Sequence, residues 1–255
     1  MQQAIASYFQ QLSPEQWFWL FFCALLIGLA KAGVKGTGMF AVPIMAAVFG
    51  GKTSVGLLLP LLSMADVFAV SYYNRHAEWK YIWRLLPAAV VGVGIGIWVG
   101  YIVDDDAFDG LIAIIIISSL VLMIVQEYTT LSDKLISSWA VASIFGVLGG
   151  FSTMIGNAAG TIMAVYLLAT RIPKNNFIGT TAWFFLIINL FKFPFHIFIW
   201  GTITAKSFLF DLAALPAIVL GVFLGIRIVR FIPEKAFRYF VIVMTFIISL
   251  RLLLA

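Results

Sequence analysis

Ten apolar segments, separated by short polar stretches, follow one another along almost the whole chain. In the first half they are approximately residues 17–30, 39–49, 53–73, 82–103 and 107–126. In the second half they are approximately residues 135–149, 157–169, 175–200, 208–229 and 236–254. A helix needs roughly 20 apolar residues to cross the hydrocarbon core of a bilayer, and the longer segments reach that length. This pattern predicts an all-α polytopic membrane protein with about eight to ten transmembrane or half-membrane helices in a single membrane domain, residues 1–255.

The composition leaves no room for a soluble domain. Hydrophobic residues make up 63% of the chain and charged residues 11%, whereas an average soluble domain carries roughly 25% charge. The net charge of +5 is explained by basic loops on the cytoplasmic side, so we expect no nucleic-acid partner. A single cysteine, Cys23, predicts neither a disulfide nor a cysteine metal site, and no metal or cofactor is expected. The N-terminus lacks a basic region and a clear cleavage site, so we expect no removed signal peptide.

The two halves of the chain resemble each other. Each half runs short, short, long, long, long, and residues 86–108 agree with residues 215–237 at ten positions when the offset is 129. The identical pairs include Pro87/Pro216, Gly92/Gly221 and Gly96/Gly225. A weaker match, at an offset of 123, aligns Gly56 with Gly179 and Asp66 with Asn189. We therefore predict two repeats, at about residues 17–126 and 135–254, as in many secondary transporters.

An odd number of segments per repeat turns the second copy upside down relative to the first. If the 75–84 loop is cytoplasmic, twelve basic residues fall on that side and three fall outside, a strong positive-inside signal. The three outside are Lys52, Lys206 and Arg251. Both termini are then predicted to be periplasmic or extracellular, and we expect the inner membrane of a bacterium. Whether each short pair of segments crosses the membrane or re-enters it stays open.

A glycine-rich break between the first two short segments is the first candidate substrate-binding element. Its candidate residues are Lys31, Gly33, Lys35, Gly36, Thr37 and Gly38. Irregular backbone at membrane depth persists only where protein or a wet cavity satisfies its polar groups. The following apolar run predicts a helix that begins near Thr37, and a helix N-terminus beside two lysines suits an anion. The alternative is that both lysines belong to an ordinary cytoplasmic loop.

The corresponding break in the second repeat is predicted at residues 149–157, with residues 158–160 opening the next helix. Its candidate residues are Ser152, Thr153, Gly156 and Asn157, which offer hydroxyls, an amide and backbone but no charge. Two breaks that meet near the membrane midplane would form one site on the pseudo-twofold axis. The alternative is that these small residues only permit close helix packing.

Lys192 lies well inside an apolar segment, one turn after Asn189. A charge there costs at least about 2.5–3.5 kcal/mol, so it needs a partner or a wet cavity. Lys192 either pairs with a buried acid such as Asp66 or provides positive charge for an anionic substrate. The alignment of Asp66 with Asn189 predicts that these two residues face each other across the axis. Asp66 then serves either proton coupling or a structural ion pair.

His196 is the second candidate for proton coupling. It follows Pro194, which is expected to bend or break its segment, and it could relay protons near neutral pH or act as a hydrogen-bonded structural residue. The chain contains no HExxH, GxSxG or Walker-type motif, so an enzyme is not expected.

Three stretches together resemble the sulfite exporter TauE/SafE family, also called the 4-toluene sulfonate uptake permease group. They are GVKGTGMFAVP at 33–43, ADVFAVSYYNRHAEWKYIWRLLP at 65–87 and FIGTTAWFFLIINLFK at 177–192. The resemblance covers nearly the whole chain. It implies a membrane transporter for sulfite, sulfoacetate, organosulfonates or other sulfur-containing anions.

The residues and the resemblance together predict a secondary transporter, a permease or exporter, of small anions such as sulfite or a sulfonate. It would work by alternating access, with proton coupling through Asp66 or His196. The predicted partners are the small anion and the lipid bilayer. The alternative is a passive anion channel or a membrane subunit of a larger complex. Substrate identity, direction, coupling ion and oligomeric state do not follow from the sequence.

Overall fold

The computed structural model describes residues 11–32, 37–128, 138–170, 172–228, 243, 246 and 247. Within these residues the chain forms ten α-helices and no β-strand, in agreement with the predicted all-α class. The first five helices are α1 (Pro14–Lys31), α2 (Thr37–Phe49), α3 (Gly51–Tyr73), α4 (Trp79–Ile102) and α5 (Asp105–Tyr128). The second five are α6 (Trp139–Gly156), α7 (Gly160–Ala169), α8 (Lys174–Phe198), α9 (Ala205–Ala213) and α10 (Leu215–Ile228).

Local capping sets the start of several helices. Ser13 accepts a hydrogen bond from the backbone of Gln16 at 3.2 Å, while the Gln16 side chain accepts one from the backbone of Ser13 at 2.9 Å. Thr204 and Ser207 make the same reciprocal pair before α9. Such capping boxes satisfy the free N–H groups of the first turn. They explain why α1 and α9 begin three residues before the apolar segments do.

Five helical stretches in the described part of the chain are long and apolar enough to cross a membrane, and the fifth combines α9 with most of α10. They are Gly51–Tyr73, Trp79–Ile102, Trp139–Gly156, Asn175–Phe198 and Ala205–Gly225. Aromatic side chains are exposed at both ends of α4, with Trp79 and Trp83 at one end and Trp98 and Tyr101 at the other. Rings of this kind settle at the two membrane interfaces. The chain is therefore built as a multi-pass membrane protein.

Helices α2 and α7, which come from the two predicted short segments after the breaks, are too short to cross. Their 13 and 10 residues correspond to about 20 Å and about 15 Å, against a hydrocarbon core of about 30 Å. The two helices touch each other inside the fold.

Two predicted segments differ from the observed helices. Residues 175–200 are not broken at Pro194, because α8 continues through it to Phe198. Residues 208–229 are instead interrupted at Ala214, between α9 and α10. Pro216 lacks the N–H that would reach the carbonyl of Leu212, and the Ala214 N–H donates to Phe210 and Asp211. The tenth segment, 236–254, lies outside the described residues except for 243, 246 and 247.

The predicted break at residues 149–157 is the largest error of sequence reasoning in the fold. Helix α6 runs without interruption to Gly156, and only Asn157–Ala159 separate it from α7. The glycines inside this stretch serve helix packing, since a Cβ on Gly150 would collide with the carbonyl oxygen of Ala89 in α4. The packing alternative is therefore correct for Gly150, and the true break begins at Asn157.

The packing of the two halves is reciprocal. Helix α4 packs along α6, and its counterpart α10 packs along α1. A Cβ on Gly92 of α4 would collide with the carbonyl oxygen of Val147, and a Cβ on Gly221 of α10 would collide with that of Leu25. Gly92 and Gly221 are partners in the 129-residue alignment. Each half therefore supplies the first helix against which the fourth segment of the other half packs.

The buried side chains fall into two main hydrophobic clusters. The larger cluster combines α1, α2, α3 and α5 with residues of α9 and α10, among them Phe210, Ala214 and Ile218. The second combines α4, α6, α7 and α8, with Tyr166 and Phe184 at its centre. Helix α3, which contributes to the larger cluster, packs against α8, which contributes to the second. The candidate site lies along this contact.

Candidate functional site

Asp66 of α3 and Asn189 of α8 meet in the interior, as their alignment in the repeat predicts. The Asn189 amide donates a hydrogen bond of 2.9 Å to Asp66 Oδ2. Both residues are buried, with Asp66 fully so and Asn189 only 2% exposed. Each lies well inside a helix of membrane-spanning length. A buried carboxylate at this depth needs a cation or several hydrogen-bond donors to offset its lost hydration, and a single amide does not supply enough.

The cation that pairs with Asp66 is Lys31, the last residue of α1. Its ammonium forms an ion pair with Asp66 Oδ1 and lies 4.9 Å from the centre of the Phe185 ring. The Lys31 side chain is 16% exposed, whereas that of Asp66 is inaccessible. Lys31 therefore belongs to the buried cluster and does not lie in an ordinary solvated loop.

Lys192 is fully buried and held by neutral oxygens. Its ammonium donates to the Thr153 carbonyl at 2.7 Å, the Thr153 hydroxyl at 3.0 Å and the Asn157 amide oxygen at 2.7 Å. Among the described residues no carboxylate forms an ion pair with Lys192, so the structure does not contain the ion pair with Asp66 that was one of the two alternatives. The reason is that Lys31 reaches Asp66 from the end of α1. Lys192 and Asp66 still interact electrostatically through the site.

Asn157 ties three elements together at the junction of α6 and α7. Its backbone adopts the left-handed conformation, with φ at 52°, which asparagine tolerates better than most residues. Its side-chain N–H donates to the carbonyl of Val55 in α3 at 3.1 Å, and its side-chain oxygen accepts from Lys192 in α8. The end of α6 is thus hydrogen-bonded to both α3 and α8.

The charges of this cluster do not balance. Lys31, Asp66 and Lys192 are electrostatically coupled, and in this group two lysines face one aspartate. One formal positive charge is left with hydroxyl, carbonyl and amide partners only. In a low-dielectric interior such a group is expected to face a counter-charge during function.

The other predicted site residues are distributed around this cluster. Thr37 is the first described residue of α2 and is buried, and Gly38 lies close to Ala30 of α1. Ser152 is buried beside Thr153, and its hydroxyl has no hydrogen-bond partner among the described residues. Gly156 ends α6. Gly33, Lys35 and Gly36 lie outside the described residues.

His196 serves the turn that follows α8. Its Nδ1 lies 2.8 Å from the Thr202 hydroxyl, and its carbonyl accepts the backbone N–H of Thr202 at 2.9 Å. The ring lies 4.9 Å from that of Trp200, nearly perpendicular to it. These contacts are those of the hydrogen-bonded structural alternative.

A cavity of about 260 Å³ reaches the cluster from the end of α3. Phe68, Ser71, Tyr72 and Tyr73 line it together with Lys31. Lys31 is the member of the cluster that lines this cavity, whereas Asp66 and Lys192 are fully buried.

Sequence reasoning missed one buried ionisable residue, Asp211 in α9, which is 0% exposed. The available signal was an acid inside the apolar segment 208–229. Among the described residues no group of three or more His, Cys, Asp or Glu side chains could hold a metal ion.

A multi-pass helical protein that combines short helices inside the fold with electrostatically coupled lysines in its interior has the features of a membrane transporter. Residues 20–252 match the sulfite exporter TauE/SafE family. The chain belongs to this family of membrane transporters, and the resemblance found in residues 33–43, 65–87 and 177–192 is confirmed. No curated protein and no solved structure matches the chain significantly.

Proposed function

We propose that the protein is a secondary transporter that moves a small sulfur-containing anion, such as sulfite or a sulfonate, across the membrane. The observation that carries this proposal is the environment of Lys192, a fully buried lysine whose described partners are all neutral oxygens. The family supports a sulfur anion as the substrate.

Lys192 is the central binding group in this proposal. A hydrogen bond with an ionised donor or acceptor is roughly twice as strong as a neutral one, and an anionic acceptor adds a Coulomb attraction to the ammonium that a neutral oxygen lacks. An anion oxygen that replaces the neutral oxygen of Asn157 or Thr153 as acceptor therefore binds the Lys192 ammonium more strongly than that neutral oxygen does. Sulfite and sulfonates carry three such oxygens, and the unpartnered hydroxyl of Ser152 is a further donor beside Thr153.

Lys31 and Asp66 form the entrance to the site in this proposal. An anion that arrives through the cavity beside Tyr72 and Tyr73 meets Lys31 and competes with Asp66 for it. In this proposal the N–H groups at the start of α2, near Thr37, also face the anion. Gly33, Lys35 and Gly36, just before Thr37 in the chain, complete the proposed anion-binding segment.

The transport cycle that we propose is alternating access between two inverted repeats. The reciprocal packing of α1 with α10 and of α6 with α4 supports two equivalent bundles, each with its own hydrophobic cluster. The bundles would rock against each other along the contact between α3 and α8, where Asp66 meets Asn189. The proposed driving force is a proton gradient.

Flux into proteoliposomes tests this function. Purified protein would be reconstituted and uptake measured for sulfite, thiosulfate and an organosulfonate, with and without a pH gradient. Saturable uptake that responds to the gradient is expected for at least one of the three. Linear, gradient-independent flux would instead identify a passive channel, and absence of flux for all three anions would overturn the proposal.

A further inference from the structure

Asp211 is an unpartnered acid in an apolar part of the membrane domain. It is fully buried, and neither of its carboxyl oxygens has a hydrogen-bond partner among the described residues. Phe210, the preceding residue of α9, and Ala214, which directly follows α9, belong to the larger hydrophobic cluster. The helix lies in the membrane-spanning stretch Ala205–Gly225.

The charged groups on the neighbouring helices are occupied elsewhere. On α3, Lys52 donates to the carbonyl of Val103 and pairs with Asp105, while Asp66 pairs with Lys31. On α10, the Arg227 guanidinium lies 4.1 Å from the centre of the Phe223 ring.

The ionisable groups on α1 and on α9 itself complete this survey. On α1, Glu15 is exposed, and the buried Cys23 thiol is directed at the carbonyl of Ala41. Lys206 of α9 lies five positions before Asp211, on a different face of the helix. No ion pair or hydrogen bond joins a charged side chain of the described residues to Asp211.

An ionised carboxylate without partners in such surroundings is so costly that the group binds a proton instead. We propose that Asp211 is held as a neutral carboxylic acid and that its reversible deprotonation couples transport to the proton gradient. The coupling half of this inference rests on the proposed transport function, whereas the neutral state of the acid does not.

Asp211 follows the binding site along the chain through the turn between α8 and α9. His196 lies one helical turn after Lys192 in α8, and it holds Thr202 through its ring and its carbonyl. Thr202 lies two residues before Thr204, which caps the N-terminus of α9, and α9 carries Asp211. A change at Lys192 that shifts this turn of α8 can therefore move the helix that carries the acid.

Helix α9 has the interruptions that such a movement requires. The chain turns at Gly201, where φ is 63°, just before α9, and it is interrupted at Ala214 just after it. Movement of α9 that admits water would let the Asp211 carboxylic acid release its proton to that water. Asp211 would then remain as a hydrated carboxylate. When α9 closes again and excludes the water, Asp211 would have to bind a proton. Each transport cycle of the anion would therefore include one release and one uptake of a proton.

Infrared difference spectroscopy tests the neutral state without any transport assay. The carbonyl stretching band of a neutral carboxylic acid is expected in the wild-type protein at neutral pH and is expected to be lost in Asp211→Asn. The exposed acid Asp106 provides the matched control, and Asp106→Asn should leave the band unchanged. An identical band in wild type and Asp211→Asn would overturn the proposal.

A second measurement uses the wild-type chain and so does not depend on the folding of a variant. Dicyclohexylcarbodiimide enters membranes and modifies neutral carboxyl groups. Mass spectrometry is expected to locate the adduct at Asp211 and not at Asp106. Modification of other acids with none at Asp211 would contradict the proposal.

Transport of sulfite tests the coupling half. Asp211→Asn is expected to lose the stimulation of uptake by a pH gradient while it still exchanges labelled for unlabelled sulfite, and Asp211→Glu is expected to recover the stimulation. Unchanged gradient dependence in Asp211→Asn would overturn the coupling role. If the wild type moves none of the sulfur anions, the proposed function fails, and the infrared result still decides the protonation of Asp211.

Discussion

The ammonium of Lys192 lies 2.7 Å from the side-chain oxygen of Asn157, the residue that forms the left-handed turn between α6 and α7. The Asn157 side chain thus links the Lys192 ammonium to the turn between α6 and α7. A rearrangement of the charge and a rearrangement of the turn are therefore coupled. The following predictions depend on this cluster and on the packing around it.

Asn157→Gly separates the role of the side chain from that of the backbone, because glycine accepts a positive φ without strain. We expect a loss of stability of about 1.5–3 kcal/mol, the value of a hydrogen bond to a charged group. Sulfite at saturating concentration should restore part of this loss, since an anion replaces the missing acceptor of Lys192. Thermal unfolding in detergent with and without sulfite measures both effects.

Asn176→Ala is the matched control for this experiment. Asn176 donates to Glu78 at 2.7 Å, at the end of α8 away from Lys192. The loss of stability in this variant should not respond to sulfite. Equal rescue of both variants would show that sulfite stabilises the protein elsewhere.

Lys31 and Asp66 should behave as one unit in a double-mutant cycle. Asp66→Asn leaves Lys31 without its carboxylate, and Lys31→Met leaves Asp66 buried and charged, so both single variants should be destabilised. The double variant should lose less than the sum of the two, with a coupling free energy of about 0.5–3 kcal/mol. Additive losses, measured by the same unfolding assay, would show that the ion pair is energetically unimportant.

Gly92 and Gly221 should respond alike to substitution by alanine. In each case the added methyl group meets a backbone carbonyl oxygen of the facing helix, and overpacking of this kind costs about 1–3 kcal/mol. Gly94 has no atom within 4 Å of an added Cβ, so Gly94→Ala should be neutral or stabilising by up to about 1 kcal/mol. A similar loss at Gly92 and Gly94 would argue against the close helix contact.

The predicted topology places both termini on the outer face of the membrane. Cys23 is the single cysteine of the chain and is buried, so a cysteine introduced at Gln2 or at Ala255 can be labelled selectively. Both are expected to react with an impermeant maleimide added to intact cells, whereas a cysteine in place of the exposed His76 should not. Labelling at only one terminus would contradict an odd number of crossings per repeat.

The sequence was most informative where a residue has to satisfy the same constraint in both halves. The alignment of Asp66 with Asn189 predicts a contact that the structure contains as a hydrogen bond. The identity of Gly92 and Gly221 reflects the same close approach of a facing carbonyl in each half. Such matches survive because substitution at either position meets the same steric or polar penalty.

Sequence reasoning failed where tertiary contacts decide. Glycines that permit α6 to lie against Ala89 look the same in the sequence as glycines that interrupt a helix, which is why the break was placed too early. The ion pair of Asp66 with Lys31 depends on where the C-terminal end of α1 lies in the folded protein. The sequence around Lys31 gives no information on that position. Asp211 was missed because a single acid near the start of an apolar segment resembles an interfacial residue, and only its burial marks it.

The most direct test of the account is sulfite uptake by wild-type protein and Lys192→Met, compared at equal amounts of folded protein in the same liposomes. Methionine retains most of the unbranched apolar stem of lysine but removes the ammonium group, and we predict that uptake falls to the level of empty liposomes. Lys52→Met provides the control, since Lys52 binds the Val103 carbonyl and the exposed Asp105 at the membrane edge, and it should retain uptake. Undiminished uptake in Lys192→Met would contradict the central claim that this buried lysine binds the transported anion.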